Sequence, residues 1–170
     1  ISIAGKTDII GPFNVTGTTN IKGATSITGS ANFKGPISVS GNSSLFGQLF
    51  VSGFAKLFKG ISIAGKTDIA GSFNVTGPTS IKGFTSITGN MTVSGVGTIQ
   101  GRGSINGGLL VNGGATINMG VTVNGASKFT GQTTVTGTMT VSGKSSLNGG
   151  MSVTGSASVR GNLSVSGLSS

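Results

Sequence analysis

The side chains that could carry acid–base chemistry in this chain are two carboxylates, Asp8 and Asp68, and 11 lysines and arginines. The sequence has no Cys, His, Glu, Trp or Tyr. It therefore cannot form a disulfide, a metal site with Cys or His ligands, or a Ser-His-Asp triad. The two aspartates are far apart in the sequence, and they form a paired-carboxylate site only if the fold brings them together. We expect a protein that is not an enzyme, with no catalytic, cofactor-binding or metal-binding residues.

The basic residues give the chain a net charge of +9. Such an excess is compatible with an anionic partner, but the cations are spread along the sequence and no aromatic side chains are interleaved with them at a basic face. We attribute the charge to solubility and do not expect a nucleic-acid partner. No apolar run approaches the roughly 20 residues that a membrane span needs, so no membrane span is expected.

Glycine recurs at every sixth position from Gly5 to Gly167, in 26 of the 28 positions of that frame. The two exceptions, Lys59 and Met119, are each followed directly by glycine. Two positions before every one of these 28 stands Val, Ile, Leu or Phe. Repetition of this kind is typical of a solenoid, in which stacked units share one core. We predict that this aliphatic column forms the core, with the representative residues Ile3, Val15, Ile21, Val39, Val75, Val93, Val111, Val135, Val141 and Val153.

Each six-residue unit predicts a short strand followed by a corner. Its first and third residues are apolar or small, whereas its second and fourth are mostly Ser, Thr, Asn or Lys. Alternation with a period of two is the pattern of a half-buried strand. Glycine suits the corner because it accepts a positive φ without a Cβ clash. The fold class predicted is therefore an all-β solenoid, a β-helix of short strands with glycine corners.

The size of one coil is the next question. The first residues of successive units alternate between large and small, which favours a 12-residue unit in which a bulky side chain lies over a small one. An 18-residue triangular coil is the alternative. Three chains wrapped around a shared core would show the same alternation, so periodicity does not separate a single-chain rod from an intertwined trimer.

A longer repeat lies over the six-residue frame. Residues 1–30 and 61–90 are identical at 24 of 30 positions. We interpret 1–170 as a single repetitive solenoid in which 1–60 and 61–120 are related by a 60-residue duplication and 121–170 adds further repeats. The segment is expected to be part of a longer repeat protein.

Residues 139–170, MTVSGKSSLNGGMSVTGSASVRGNLSVSGLSS, resemble the glycine-rich repeats in the shafts of phage and virus tail fibres and related surface fibres. This resemblance implies a homotrimeric extracellular or virion fibre. The V-x-G turns are also similar to those of bactofilins, which implies a polymerising cytoplasmic scaffold. Hexapeptide-repeat acyltransferases are similar in their aliphatic spacing, but their chemistry uses a His that this chain lacks.

Four phenylalanines form the clearest local anomaly. Phe46, Phe50 and Phe58 fall on outward positions and Phe54 falls in a corner. On a 12-residue coil Phe46 and Phe58 would stack on one face, and clustered outward aromatics usually mark a contact site. We predict that these four residues mediate association with further copies of the chain.

The sequence thus favours a structural protein, the shaft of an extracellular or virion fibre or filament that self-associates through its sides or ends. Expected partners are copies of itself, as a trimer or filament, and other fibre or virion components. Expected locations are the cell exterior, the cell surface or the virion, with a cytoplasmic filament as the bactofilin-like alternative. The other alternative is a binding module for ice or for anionic glycans. Ice-binding solenoids use rows of Thr-x-Thr, and here only Thr134 and Thr136 form such a pair in register.

Overall fold

Short pleated segments follow one another along the whole chain, with one strand to each six-residue unit. The structure, a computed structural model, describes residues 1–167, and these contain 28 short strands and no helix. The strands form three parallel sheets, named here A, B and C. The end of the predicted 121–170 segment, 168–170, lies outside the described residues. The prediction of an all-β solenoid is confirmed.

Consecutive strands belong to sheets A, B and C in turn. Sheet A contains β1 (Ser2–Ile3), β4 (Thr19–Ile21), β7 (Ile37–Val39), β10 (Ala55–Leu57), β13 (Phe73–Val75), β16 (Met91–Val93), β19 (Leu109–Val111), β22 (Ser127–Phe129), β25 (Ser145–Leu147) and β28 (Leu163–Val165). Sheet B contains β2 (Thr7–Ile9), β5 (Thr25–Ile27), β8 (Ser43–Leu45), β11 (Ile61–Ile63), β14 (Thr79–Ile81), β17 (Gly97–Ile99), β20 (Ala115–Ile117), β23 (Thr133–Val135) and β26 (Met151–Val153). Sheet C contains β3 (Phe13–Val15), β6 (Ala31–Phe33), β9 (Leu49–Val51), β12 (Thr67–Ile69), β15 (Thr85–Ile87), β18 (Arg102–Ile105), β21 (Gly120–Val123), β24 (Thr138–Val141) and β27 (Ser156–Val159).

The register of the sheets fixes the size of the coil at about 18 residues per turn. Each strand pairs in parallel with the third strand after it, as Ser62 of β11 pairs with Ser80 of β14. The predicted 12-residue unit is therefore wrong, and the triangular alternative describes the molecule. Sheet A stacks ten strands, which at about 4.8 Å per step gives a rod about 43 Å long.

The volume of the core explains why the sequence suggested a shorter unit. The first residues of the three six-residue units in a coil all point into the same narrow interior. Met91 shares its coil with Gly97 and Gly103, and Phe73 shares its coil with the first residues of β14 and β15, which are both threonines. One large side chain is thus balanced by two small ones on the other sides. In the first 60 residues, where large and small residues alternate, the three-stranded coil instead stacks them over one another on the same sheet, as Ala55 pairs with Ile37 of the coil before and with Phe73 of the coil after.

The aliphatic column lies inside the rod. Eight of the ten representative residues are buried, with at most 6% of their surface exposed: Val15, Ile21, Val39, Val75, Val93, Val111, Val135 and Val141. Ile3 and Val153, which lie near opposite ends of the described segment, are partly buried and pack against the same core. A single chain supplies all three sides of each coil, so the core closes without intertwined chains.

The corner glycines are required chiefly by the close approach of successive coils. Within the described residues only Gly5, Gly11 and Gly17, in the first coil, have a positive φ, at 127°, 113° and 123°. From Gly23 onward the corners have ordinary φ values, so the positive φ expected from the sequence is wrong for most of them. A Cβ on Gly131 would instead lie 2.6 Å from the carbonyl carbon and oxygen of Gly113 in the coil before. A side chain at the corner would therefore push two coils apart.

The 60-residue duplication is not a whole number of coils. Ten six-residue units make three coils and one further strand, so each residue of the second copy is rotated onto the next side of the rod. The strand holding Asp8 lies in sheet B, whereas the equivalent strand holding Asp68 lies in sheet C. The duplication preserves the six-residue frame but places the related sequences on different sides.

Candidate interaction surfaces

The two carboxylates lie far apart in the structure, and each forms a salt bridge with a neighbouring lysine. Lys6 Nζ lies 3.0 Å from Asp8 Oδ2, and Lys66 Nζ lies 2.7 Å from Asp68 Oδ2. Asp8 is on sheet B in the first coil, and Asp68 is on sheet C three coils later. The fold therefore does not bring them together. Residues 1–167 contain no group of three or more His, Cys, Asp or Glu side chains able to hold a metal ion.

The interior of the rod, as far as residues 1–167 describe it, has no room for a ligand. Two enclosed voids lie in the core, with volumes of about 20 Å³ and 10 Å³. A void of this size holds at most a water molecule, and both are lined almost entirely by apolar side chains. The candidate residues for contact with another molecule are therefore those of the outer surface.

The predicted contact residues Phe46, Phe50, Phe54 and Phe58 are all exposed, by 66%, 44%, 51% and 46%. They lie within less than one coil, and we call them the phenylalanine belt. Phe46 follows β8 of sheet B, Phe50 is on β9 of sheet C, Phe54 is at the corner before β10, and Phe58 follows β10 of sheet A. The belt therefore runs around the rod and presents an aromatic ring toward each of its three sides.

The stacking of Phe46 on Phe58 that a 12-residue coil implied does not occur. The two rings are separated by two strands, which is two thirds of a coil, so they lie on different sides of the rod. Phe58 contacts a cation instead, since Lys56 Nζ lies 4.8 Å from the centre of its ring. This geometry favours a weak cation–π attraction that keeps the lysine stem along the ring.

A row of hydroxyl groups runs along sheet B, and reasoning from the sequence missed it. The outward residue of eight successive strands is Ser or Thr: Ser26, Ser44, Ser62, Ser80, Thr98, Thr116, Thr134 and Ser152. Over its middle part the row borders a shallow open groove of about 580 Å³, bounded at the corner by Asn42, Gly60, Pro78 and Val96. The recurrence of Ser or Thr in every third strand is the signal that would have revealed the row, and only the correct coil size makes it visible.

A second surface lies at the edge between sheets B and C. Lys66, Phe84 and Arg102 occupy the same corner in three successive coils, and Lys82 stands beside Phe84 across Gly83. We call these four residues the edge strip. Phe84 is 63% exposed. Its place among three cations was not recognisable from the sequence, because it stands outside the phenylalanine-rich segment and its neighbours in space come from the coils before and after it.

Comparison of the chain with protein families, with curated proteins and with solved structures gave no significant match. The structure thus establishes a β-solenoid of about nine coils without assigning it to a family.

Because residues 1–167 form no helix, they include no candidate for a membrane-spanning helix.

Proposed function

We propose that this chain is a non-enzymatic structural protein that forms part of the shaft of an extracellular or virion fibre. The observation that carries the proposal is the uninterrupted stack of coils from residue 1 to residue 167, in which each strand pairs with the third one along the chain. Such a stack transmits force along backbone hydrogen bonds and a continuous core. The two carboxylates of the described residues, Asp8 and Asp68, lie on different sheets three coils apart, so they do not form a paired-carboxylate site.

The phenylalanine belt supports lateral association. Four exposed rings in less than one coil give the rod an apolar contact residue on each of its three sides, and exposed aromatic side chains of this kind mark contacts between proteins. Because the belt reaches all three sides, neighbouring rods can contact it from any direction. In a bundle of copies, such as a trimer, each rod buries the rings on the sides that face its neighbours. Further fibre or virion components are the other partners we propose for this surface.

Sedimentation and electron microscopy test this proposal. The variant carrying Phe46→Ser and Phe58→Ser should remain folded but sediment as a smaller species than the unmodified chain. The matched control carries Ile10→Ser and Val96→Ser, which also removes two exposed apolar side chains, 93% and 51% exposed, away from the belt. The control should associate normally. Equal sedimentation of all three proteins as monomers would refute association through the belt, and long unbranched filaments would favour the bactofilin-like scaffold.

A second candidate function, ice binding, is favoured by the hydroxyl row on sheet B. The row repeats at the strand spacing of about 4.8 Å on a regular sheet, which suits an ordered array of water molecules. Thermal hysteresis measured before and after Thr98→Lys and Thr116→Lys tests it. Absence of hysteresis in the unmodified chain would eliminate this candidate.

A further inference from the structure

The edge strip continues beyond Arg102 into a concave surface. Arg102 pairs in register with Gly120, and Gly120 with Thr138, so the corner column reads Lys66, Phe84, Arg102, Gly120 and Thr138 over five coils. Four steps of about 4.8 Å make this column about 19 Å long. Because Gly120 has no side chain, a shallow depression of about 270 Å³ opens above Arg102.

The depression combines a cation, an apolar side chain and hydroxyl groups. Arg102, Met119, Thr122 and Thr138 line it, and Met119 is 56% exposed. Beside it on sheet B stand the exposed amides of Gln100 and Asn118. Neutral groups that both donate and accept hydrogen bonds therefore flank a line of positive charge.

The cations of the strip are available to an outside ligand. The only carboxylate side chains within residues 1–167 are those of Asp8 and Asp68, which pair with Lys6 and Lys66. Lys82 and Arg102 have no carboxylate partner in that part of the chain, and both are exposed. Two uncompensated cations lie within two coils of each other, with Phe84 between them.

We propose that the edge strip and its depression bind a linear acidic polysaccharide. The arginine fork matches a carboxylate or sulfate group, Lys82 attracts a second one, and the hydroxyls and amides match the hydroxyl groups of the sugar units. Phe84 and Met119 offer apolar surface to the sugar rings. Charge complementarity selects the occupant, because the chain carries a net charge of +9 and its acids are paired.

The aromatic content of the strip argues for a polysaccharide over a single-stranded nucleic acid. Proteins that bind single strands stack successive bases on a series of aromatic rings. Only one ring, that of Phe84, lies in the strip, whereas hydroxyl and amide groups border most of its length. A monomeric rod presents the same edge, so binding here does not depend on the shaft role.

Binding measurements with heparin test the proposal, with dextran as a neutral polymer and an oligothymidine as a nucleic acid. Lys82→Ser with Arg102→Ser should weaken heparin binding about five- to tenfold. The matched control, Lys128→Ser with Lys144→Ser, removes the same two charges from exposed positions outside the B–C edge and should weaken it by less than about twofold. Phe84→Ser should lower affinity while leaving the dependence on salt concentration unchanged.

Three results would overturn the proposal. An equal loss in the edge and control variants would show attraction by net charge alone. Tighter binding of the oligothymidine than of heparin would identify the strip as a nucleic-acid surface. Heparin binding no stronger than dextran binding would show that the strip does not select an acidic polymer. Circular dichroism of each variant verifies that the rod is intact, since all the substituted side chains point outward.

Discussion

Replacing Gly131 with alanine should destabilise the rod, whereas the same replacement at Gly97 should stabilise it. Both changes add one methyl group and restrict the unfolded chain equally, so their difference reports on the folded state alone. Neither glycine has a positive φ. Steric fit in the folded rod therefore decides whether the added methyl group raises or lowers the free energy of unfolding.

The gain expected at Gly97 follows from the space around its Cβ. The added methyl would lie 3.6 Å from Val111 Cγ1, an ordinary contact within the core. Reduced entropy of the unfolded chain and burial of a methyl together give a gain of about 1–1.5 kcal/mol.

At Gly131 the methyl would lie 2.6 Å from the carbonyl of Gly113 and 2.7 Å from Gly114 N. Relief of this overlap separates the coils and lengthens the bond from Gly131 N to Gly113 O, which is already 3.2 Å. Overpacking and a weakened hydrogen bond together cost about 2–4 kcal/mol.

Thermal unfolding followed by circular dichroism is the assay. A change of about 1 kcal/mol shifts the midpoint by about 2–4 °C in a chain of this size. We expect Gly97→Ala to melt a few degrees higher than the unmodified chain and Gly131→Ala to melt at least about 4 °C lower. Equal shifts for the two variants would refute the argument that close approach between coils selects glycine at the corners.

The remaining predictions concern single side chains of the core, each measured by the free energy of unfolding. Val135→Asp buries a carboxylate and should cost at least about 4 kcal/mol, whereas Thr136→Asp on the exposed side should change stability by less than about 0.5 kcal/mol. Equal losses of stability would contradict the assignment of Val135 to the core and Thr136 to the surface. Thr133 Oγ1 is buried without a partner in the described structure, so Thr133→Val should stabilise by about 1 kcal/mol. Ser145→Ala should destabilise by a similar amount, because it removes the 2.9 Å bond to the buried Ser127 hydroxyl. A loss of stability in Thr133→Val would indicate that the Thr133 hydroxyl forms a hydrogen bond in the folded protein.

The direction in which each side chain faces could be predicted from the sequence, because the period of two is imposed by the strand itself. Val15, Val75 and Val135 are buried as that period requires. Their facing does not depend on the number of strands in a coil. The aliphatic column was therefore recognisable before the coil size was known.

The coil size could not be predicted, because a six-residue frame accommodates two or three sides equally well. Met91 needs small neighbours in either case, and the sequence does not say whether one or two residues supply that space. The number of strands in a coil determines which outward side chains are neighbours on the surface. The belt around the rod, the hydroxyl row on sheet B and the stacking of Phe84 between Lys66 and Arg102 exist only when every third strand is a neighbour.

Engineered cysteine pairs test the three-sided coil most directly, since the chain has no cysteine of its own. Ser62 and Ser80 are paired in register on sheet B. Their Cα atoms should be about 4.8 Å apart, within the range that a disulfide spans. Asn74, two strands after Ser62, points outward from sheet A and is its neighbour only in a 12-residue coil.

Mild oxidation of dilute protein, followed by intact mass and free-thiol titration, gives the answer. The variant with Ser62→Cys and Ser80→Cys should lose both thiols within one chain, and the variant with Ser62→Cys and Asn74→Cys should keep them. Disulfide formation in the second variant and not in the first would contradict the three-sided coil.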